Sequence, residues 1–224
     1  MENNKRTAVV FGGTGLVGKA LIKELIDNQD YGEIIAVLRN DLPFSNPKLE
    51  QLLFSDFRHL IHLKGELNAT DYFCCIGTTI KKAGSQKAFQ QVDHDIPVQI
   101  AKLAHSLSIP NMVAISSLGA NAASSNFYLR TKGKMENSVR KSYTGNLKIV
   151  RPSLLMGRRN ERRFGEKAGI LFMRMFGWLL LGPLNKFKGI EVTDLAKVMV
   201  GLAKDSSGQV FFESKELRAL RKRK

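Results

Sequence analysis

A phenol, an ammonium and two hydroxyls fall close together in mid-chain. An apolar run ends in Ser116-Ser117, and Tyr128-Leu-Arg-Thr-Lys132 begins eleven residues after the second serine. Tyr and Lys four positions apart share one face of a helix. An ammonium beside a phenol favours the phenolate, and a serine hydroxyl across a pocket holds a carbonyl oxygen. Ser117 (or Ser116) would then orient a substrate. Tyr128 would act as general acid in reduction or base in oxidation, with Lys132 beside it. Taken alone, Tyr-x-x-x-Lys also arises in ordinary surface packing. The catalytic reading therefore needs a hydride carrier elsewhere in the chain.

The amino-terminal segment carries the pattern for one. In Thr7-Ala-Val-Val-Phe-Gly-Gly-Thr-Gly-Leu-Val-Gly-Lys19, glycines stand at 12, 15 and 18 between an apolar β-branched run and a helical pattern. Missing Cβ atoms permit a tight turn and let backbone N–H groups approach a pyrophosphate, and the helix N-terminus favours its charge. Gly12, Thr14, Gly15, Leu16, Val17 and Gly18 are assigned to this dinucleotide cradle, the last glycine permitting close helix–strand packing. The second strand pattern ends in Leu38-Arg39-Asn40-Asp41. An acid there holds the ribose 2′-hydroxyl of NAD, whereas an arginine accommodates the 2′-phosphate of NADP. Arg39 thus favours NADP(H) over NAD(H), and Asp41 is the opposing signal. Asp56 is placed to meet the adenine amino group or to sit in a surface turn. Gly77, Thr78 and Thr79 end the fourth strand pattern, where the adenosine ribose and pyrophosphate usually lie. Arg159, with Arg158, is placed to reach the nicotinamide-side phosphate.

The elements that must position these residues alternate. Strand patterns occupy 6–12, 33–38, near 51–54, 72–76, 111–115, 147–150 and 209–212. Helical patterns occupy 15–28, 86–107, 128–141 and 194–203, with Pro97 an irregularity near the start of the second. This alternation predicts an α/β fold built on a doubly wound parallel sheet. One domain spanning 1–224 accommodates it. Residues 157–190, where the pattern loosens, are expected to form a small C-terminal substrate lobe over the site.

Composition narrows the partners. Lys and Arg total 35 against 20 Asp and Glu, a net charge of +15, which favours a phosphorylated cofactor, nucleic acid or an acidic membrane surface. Specific nucleic-acid recognition is not indicated, because aromatics make up only 8% of the chain and do not interleave with the basic clusters. The tail Lys215–Lys224 reads as a solvated, frayed terminus. Residues 168–184 are apolar but short for a membrane span and carry Arg174 in their middle, so no transmembrane segment is expected. They suit a packed helix, a surface for self-association or a protein partner, or a peripheral membrane contact. Cys74 and Cys75 are adjacent, and strand neighbours face opposite ways, so buried thiols in a reducing cytosol fit them better than a disulfide. The amino-terminal residues lack an apolar signal region, and a cytoplasmic protein is expected. His59, His62, His94 and His105 are scattered and are read as structural or solvent-facing, not as metal ligands.

The stretches "VFGGTGLVGKALIKE", "FCCIGTTIKKAG", "VDHDIPVQIAKLA", "ISSLGANAASSNFYLRTKGKME" and "RPSLLMGRRNERRFGE" cover much of the chain. In them the chain resembles the short-chain dehydrogenase/reductase superfamily, in its atypical NAD(P)-binding branch and near the Tat-interacting oxidoreductase-like family. That resemblance implies a Rossmann fold, NADPH in the groove and a Ser–Tyr–Lys site on Ser117 (or Ser116), Tyr128 and Lys132. One departure stands out: Asp93 occupies a position where many superfamily members have an Asn that serves a proton relay. An NADPH-dependent oxidoreductase with a small carbonyl or hydroxyl substrate is expected. The alternative is an NADPH-sensing regulatory or assembly protein with weak or no catalysis.

Overall fold

The structure is a computed structural model and describes residues 5–156 and 189–221. The apolar runs become strands: β1 (Arg6–Phe11), β2 (Tyr31–Leu38), β3 (Leu49–Leu53), β4 (Asp71–Cys74), β5 (Asn111–Ile115), β6 (Asn146–Arg151), β7 (Leu155–Met156), β8 (Ile190–Glu191) and β9 (Phe211–Glu213). Seven of them form one parallel sheet in the order β3-β2-β1-β4-β5-β6-β9, while β7 and β8 pair separately. The helices are α1 (Leu16–Asp27), α2 (Ile80–Ala83), α3 (Gln86–Gln90), α4 (Ile96–Ser106), α5 (Phe127–Ser142), α6 (Val192–Leu202) and α7 (Ser214–Leu220). This is the doubly wound Rossmann arrangement.

Near-continuous apolar strands require cover on both faces, and successive residues of β1 supply one face each. Val10 packs with Leu21, Leu25, Leu195 and Met199 under α1 and α6. Val9 and Phe11 pack with Ile100, Ala104, Met135 and Val139 under α4 and α5. Chain order reverses between β1 and β4, and at such a switch point the helices diverge and leave a crevice beyond the carboxyl ends of the strands. The register brings the walls of that crevice level, because Phe11 pairs with both Val37 and Cys74. The residues after these strands (Gly12, Arg39 and Cys75) therefore emerge at the same edge.

The opposite edge is fastened by a buried carboxylate. Asp71 accepts hydrogen bonds from Arg6 at 2.5 and 2.7 Å, from the Tyr31 hydroxyl at 2.7 Å and from Asn111 at 3.0 Å. A buried charge with this many partners is satisfied, and it locks β1, β2, β4 and β5 together.

Two expectations change. The tail is not frayed through residue 220. Glu213 and Glu216 form a reciprocal capping box, α7 follows, and Leu217 is fully buried. The caps satisfy the first-turn amides while the leucine anchors the helix. The region read as one helix over 86–107 is divided into α3, a π-turn at Gln91–Asp95 and α4. Pro97 has no N–H to give the Asp93 carbonyl, and its ring crowds that carbonyl. The backbone widens instead, so that the Ile96 N–H reaches back to Gln91. The expected lobe over 157–190 lies outside the described residues except for 189 and 190. So do the apolar segment 168–184, Arg158, Arg159 and residues 222–224.

Candidate functional site

The cradle is built from backbone. At the end of β1 the chain turns at Gly12 with φ +84°, a left-handed conformation that glycine adopts without strain. The Gly15 N–H donates to the Gly12 carbonyl at 3.0 Å. Gly15 then heads α1 with no side-chain cap and no acid in the first turn. The N-terminal amides and positive end of the helix dipole are left for an anion. A Cβ on Gly18 would lie 2.2 Å from the Gly12 carbonyl oxygen. The last glycine of the motif thus seats the start of the helix against the loop that leaves β1.

This loop borders a cleft of about 1150 Å³. Arg39, Ser55, Asp56 and Phe57 form its wall on the β2–β3 side; Cys75, Gly77, Thr78 and Lys82 form the β4 side. Of the residues assigned from sequence, Gly12, Thr14, Gly15, Arg39, Asp56, Gly77 and Thr78 line it. Leu16, Val17 and Gly18 form the first turn of α1 behind the loop, with Val17 and Gly18 buried. Thr79 does not line the cleft; its hydroxyl accepts the Lys82 N–H at 3.2 Å and caps α2. Asp56 pairs with His59 at 2.9 Å. Arg39 is exposed and has no acidic partner among the described residues. Lys82 is a cleft cation that sequence reasoning passed over, although the basic pair after Gly77-Thr-Thr at a strand end was its signal. Burial pushes the Cys74 thiol up to about 11, so it stays neutral near pH 7.

The residues read as catalytic from sequence, Ser116, Ser117, Tyr128 and Lys132, are not among the described residues that line the cleft, whose wall on this side is Gly77 and Thr78. The Asn126 side chain accepts the Leu129 N–H at 3.1 Å and starts α5, so that Tyr128 and Lys132 share a face near the helix start. The Tyr128 ring packs 5.6 Å from that of Phe89. The Lys132 side chain is only 4% exposed, and its ammonium is 2.7 Å from Asp93 Oδ1. The other carboxylate oxygen accepts the Thr78 N–H at 2.8 Å. Burial pulls the Lys132 pKa down, but Asp93 and then Tyr128 outweigh it, and the net direction is up. Gly77 connects this pair to the cleft: a Cβ there would lie 3.6 Å from Asp93 Oδ1 and 3.9 Å from Lys132 Nζ. Ser116 and Ser117 are buried at the end of β5. The Ser117 hydroxyl makes a long 3.4 Å bond to the Leu118 carbonyl, and the Ser116 hydroxyl has no hydrogen-bond partner among the described residues.

No family model matches the chain. Among curated relatives, "Protein FMP52, mitochondrial" of Lodderomyces elongisporus is 30% identical over 87% of this chain and 85% of its own length. The protein of the same name from Candida glabrata is 33% identical, covering 84% and 80%. "Protein HTATIP2" of Rattus norvegicus is 30% identical over 94% and 86%. The fold recurs in the oxidoreductase ylbE from Lactococcus lactis (TM-score 0.67, 18% identity, 96% of each chain). It recurs also in ADP-L-glycero-D-manno-heptose-6-epimerase from Helicobacter pylori (0.68, 14%, 99% and 83%) and alfalfa vestitone reductase (0.65, 17%, 93% and 76%). The expectation of a cytoplasmic protein is corrected by the relatives, several of which are named as mitochondrial. Reduced thiols do not separate the cytosol from a mitochondrial interior. A missing apolar leader does not either, because mitochondrial transit signals are amphipathic and Arg-rich.

Proposed function

The chain belongs to the family of FMP52 and HTATIP2, and from that premise we propose that it is an atypical short-chain dehydrogenase/reductase, an NADPH-dependent oxidoreductase acting on a small carbonyl or hydroxyl substrate. One observation carries this reading. A single cleft is bordered by the glycine loop and by Arg39, and at Gly77 it meets the backbone that packs against Lys132 and Asp93.

The residues fit the cofactor. The uncapped start of α1 offers amides to a pyrophosphate, and a Cβ at Gly12 would meet the Cys75 carbonyl oxygen at 2.7 Å, leaving no room for a side chain in the turn. Arg39 and Lys82, on opposite walls of the cleft, would supply positive charge to the bound cofactor, Arg39 to its 2′-phosphate. A bound nicotinamide supplies or accepts hydride. The protein's own part is to hold and protonate. The Ser117 hydroxyl (or that of Ser116) orients the substrate oxygen, Tyr128 donates a proton to it during reduction, and Lys132 provides the neighbouring positive charge. The buried surroundings of Ser116, Ser117 and Lys132 keep water from competing.

Tyr128→Phe tests the assignment. Across a panel of aldehydes and ketones, turnover should fall about 100-fold or more, while NADPH affinity stays within roughly threefold, a change under about 1 kcal/mol. Turnover that survives the substitution removes Tyr128 from the chemistry. A second reading, an NADPH-responsive binding protein without turnover, is favoured by the 2.7 Å contact between Asp93 and Lys132. It leaves Tyr128 beside a charge-balanced pair.

A further inference from the structure

We propose that Asp93 is the positioning residue of this site: one carboxylate oxygen holds Lys132 as an ammonium beside Tyr128, while the other holds the Thr78 amide and so ties the helix of the catalytic pair to the cofactor-side loop. The inference rests on the oxidoreductase reading and adds to it the group that keeps the lysine charged.

The geometry carries it. Asp93 and Lys132 are 39 residues apart in sequence and almost completely buried, with side-chain exposures of 1% and 4%, yet their charged atoms are 2.7 Å apart. A lysine this dry does not keep its proton unaided, since burial disfavours the charged form. The groups facing Lys132 are Asp93 from the π-turn, Tyr128 from its own helix and Cys74 from the end of β4. Glu136, one turn further along α5, is held instead by Arg151. Of the three facing groups, only Asp93 is a carboxylate, so the ammonium depends on it.

The π-turn explains how Asp93 reaches that place. Pro97 cannot donate to the Asp93 carbonyl, the turn widens, and Asp93 is buried against Gly77-Thr78 rather than lying on a regular helical face. Its second oxygen takes the Thr78 N–H at 2.8 Å. Thr78 lines the cofactor cleft. The carboxylate is therefore shared between the cleft wall and the lysine. An asparagine in its place retains an oxygen for the Thr78 amide but removes the counter-charge.

The test reads the lysine directly. Protein made with lysine labelled at the ε carbon is titrated by NMR without cofactor, and Lys132→Arg assigns the signal by deleting it. In the wild type Lys132 should remain protonated beyond the ordinary lysine range. In Asp93→Asn its titration should move down, because burial disfavours the ammonium once the counter-charge is gone, and Asp93→Glu should restore most of the difference. A Lys132 signal that titrates alike in wild type and Asp93→Asn overturns the proposal. NADPH binding measured on the same samples keeps the two readings apart, because loss of binding in the wild type strikes the oxidoreductase reading and leaves the lysine titration standing.

Discussion

Replacing Gly18 with alanine asks whether the glycine loop is seated as described. The added Cβ would stand 2.2 Å from the Gly12 carbonyl oxygen and 2.8 Å from Gly13 Cα. Both are backbone atoms, so no side chain can rotate away. The helix start must retreat by about 1 Å to reach ordinary contact distance. Val17, Leu21, Ile22 and Leu25 on the buried face of α1 must move with it. Overpacking of this kind costs about 1–3 kcal/mol. With roughly 2–4 °C lost per kcal/mol in a domain of this size, Tm should fall by about 4–8 °C for a cost near the middle of that range. The same retreat misaligns the amides that face the pyrophosphate, so NADPH affinity should drop about tenfold or more, equivalent to roughly 1.4 kcal/mol. Gly201→Ala is the control. It lies exposed near the end of α6 with none of the described residues within 4 Å of the added methyl, and it should be neutral or stabilising by up to about 1 kcal/mol. Thermal unfolding followed by circular dichroism and a fluorescence titration with NADPH give both readouts. Gly18→Ala melting with the wild type and binding NADPH as tightly would refute the close seating of α1 on the loop.

Two further outcomes follow from charges elsewhere in the fold. Arg151 binds both carboxylate oxygens of the buried Glu136, at 2.6 and 2.9 Å, and reaches Glu213 at 2.8 Å. Arg151→Met leaves Glu136 buried without its counter-charge, and should lower unfolding free energy by about 3 kcal/mol in a denaturant titration; a loss below about 1 kcal/mol would show that the pair contributes little. Asp205 is held below the ordinary carboxylate range by the Ser207 hydroxyl first and by Lys148 next. Its folded pKa lies below its unfolded value, so its stabilising contribution is complete above the unfolded value and is lost as pH falls through the folded one. The stability gap between wild type and Asp205→Asn should therefore narrow as pH falls below about 4, where an unperturbed Asp titrates, and a constant gap down to pH 2 would exclude the linkage.

The fold was legible where one physical demand dominates a stretch. Buried parallel strands must be apolar throughout, and the runs at 6–12, 33–38 and 111–115 fall on β1, β2 and β5 with small shifts at their ends. The glycine spacing was equally readable, because a close backbone approach has few solutions. The tail was misread for an opposite reason. Its Lys and Arg residues dominate the composition, while the helix depends on two acids that cap it and on one buried leucine, Leu217. Asp93 was noticed as a departure, but its partner could not be read from spacing, since the contact with Lys132 exists only once α4 and α5 lie side by side over the sheet. Thr79 shows how chemistry can be assigned to a residue engaged locally: its hydroxyl caps α2.

If the proposed function holds, the cleft beside the glycine loop takes NADPH, with Arg39 on its 2′-phosphate. The most direct measurement is a parallel titration of wild type and Arg39→Ala with NADPH and NADH, followed by nicotinamide fluorescence. NADPH should bind tightly and weaken about 10- to 100-fold in Arg39→Ala, as expected for a charge-assisted contact of about 1.5–3 kcal/mol, with NADH affinity unchanged by the substitution. Binding of neither cofactor, or an equal loss for both in Arg39→Ala, would contradict the proposed function.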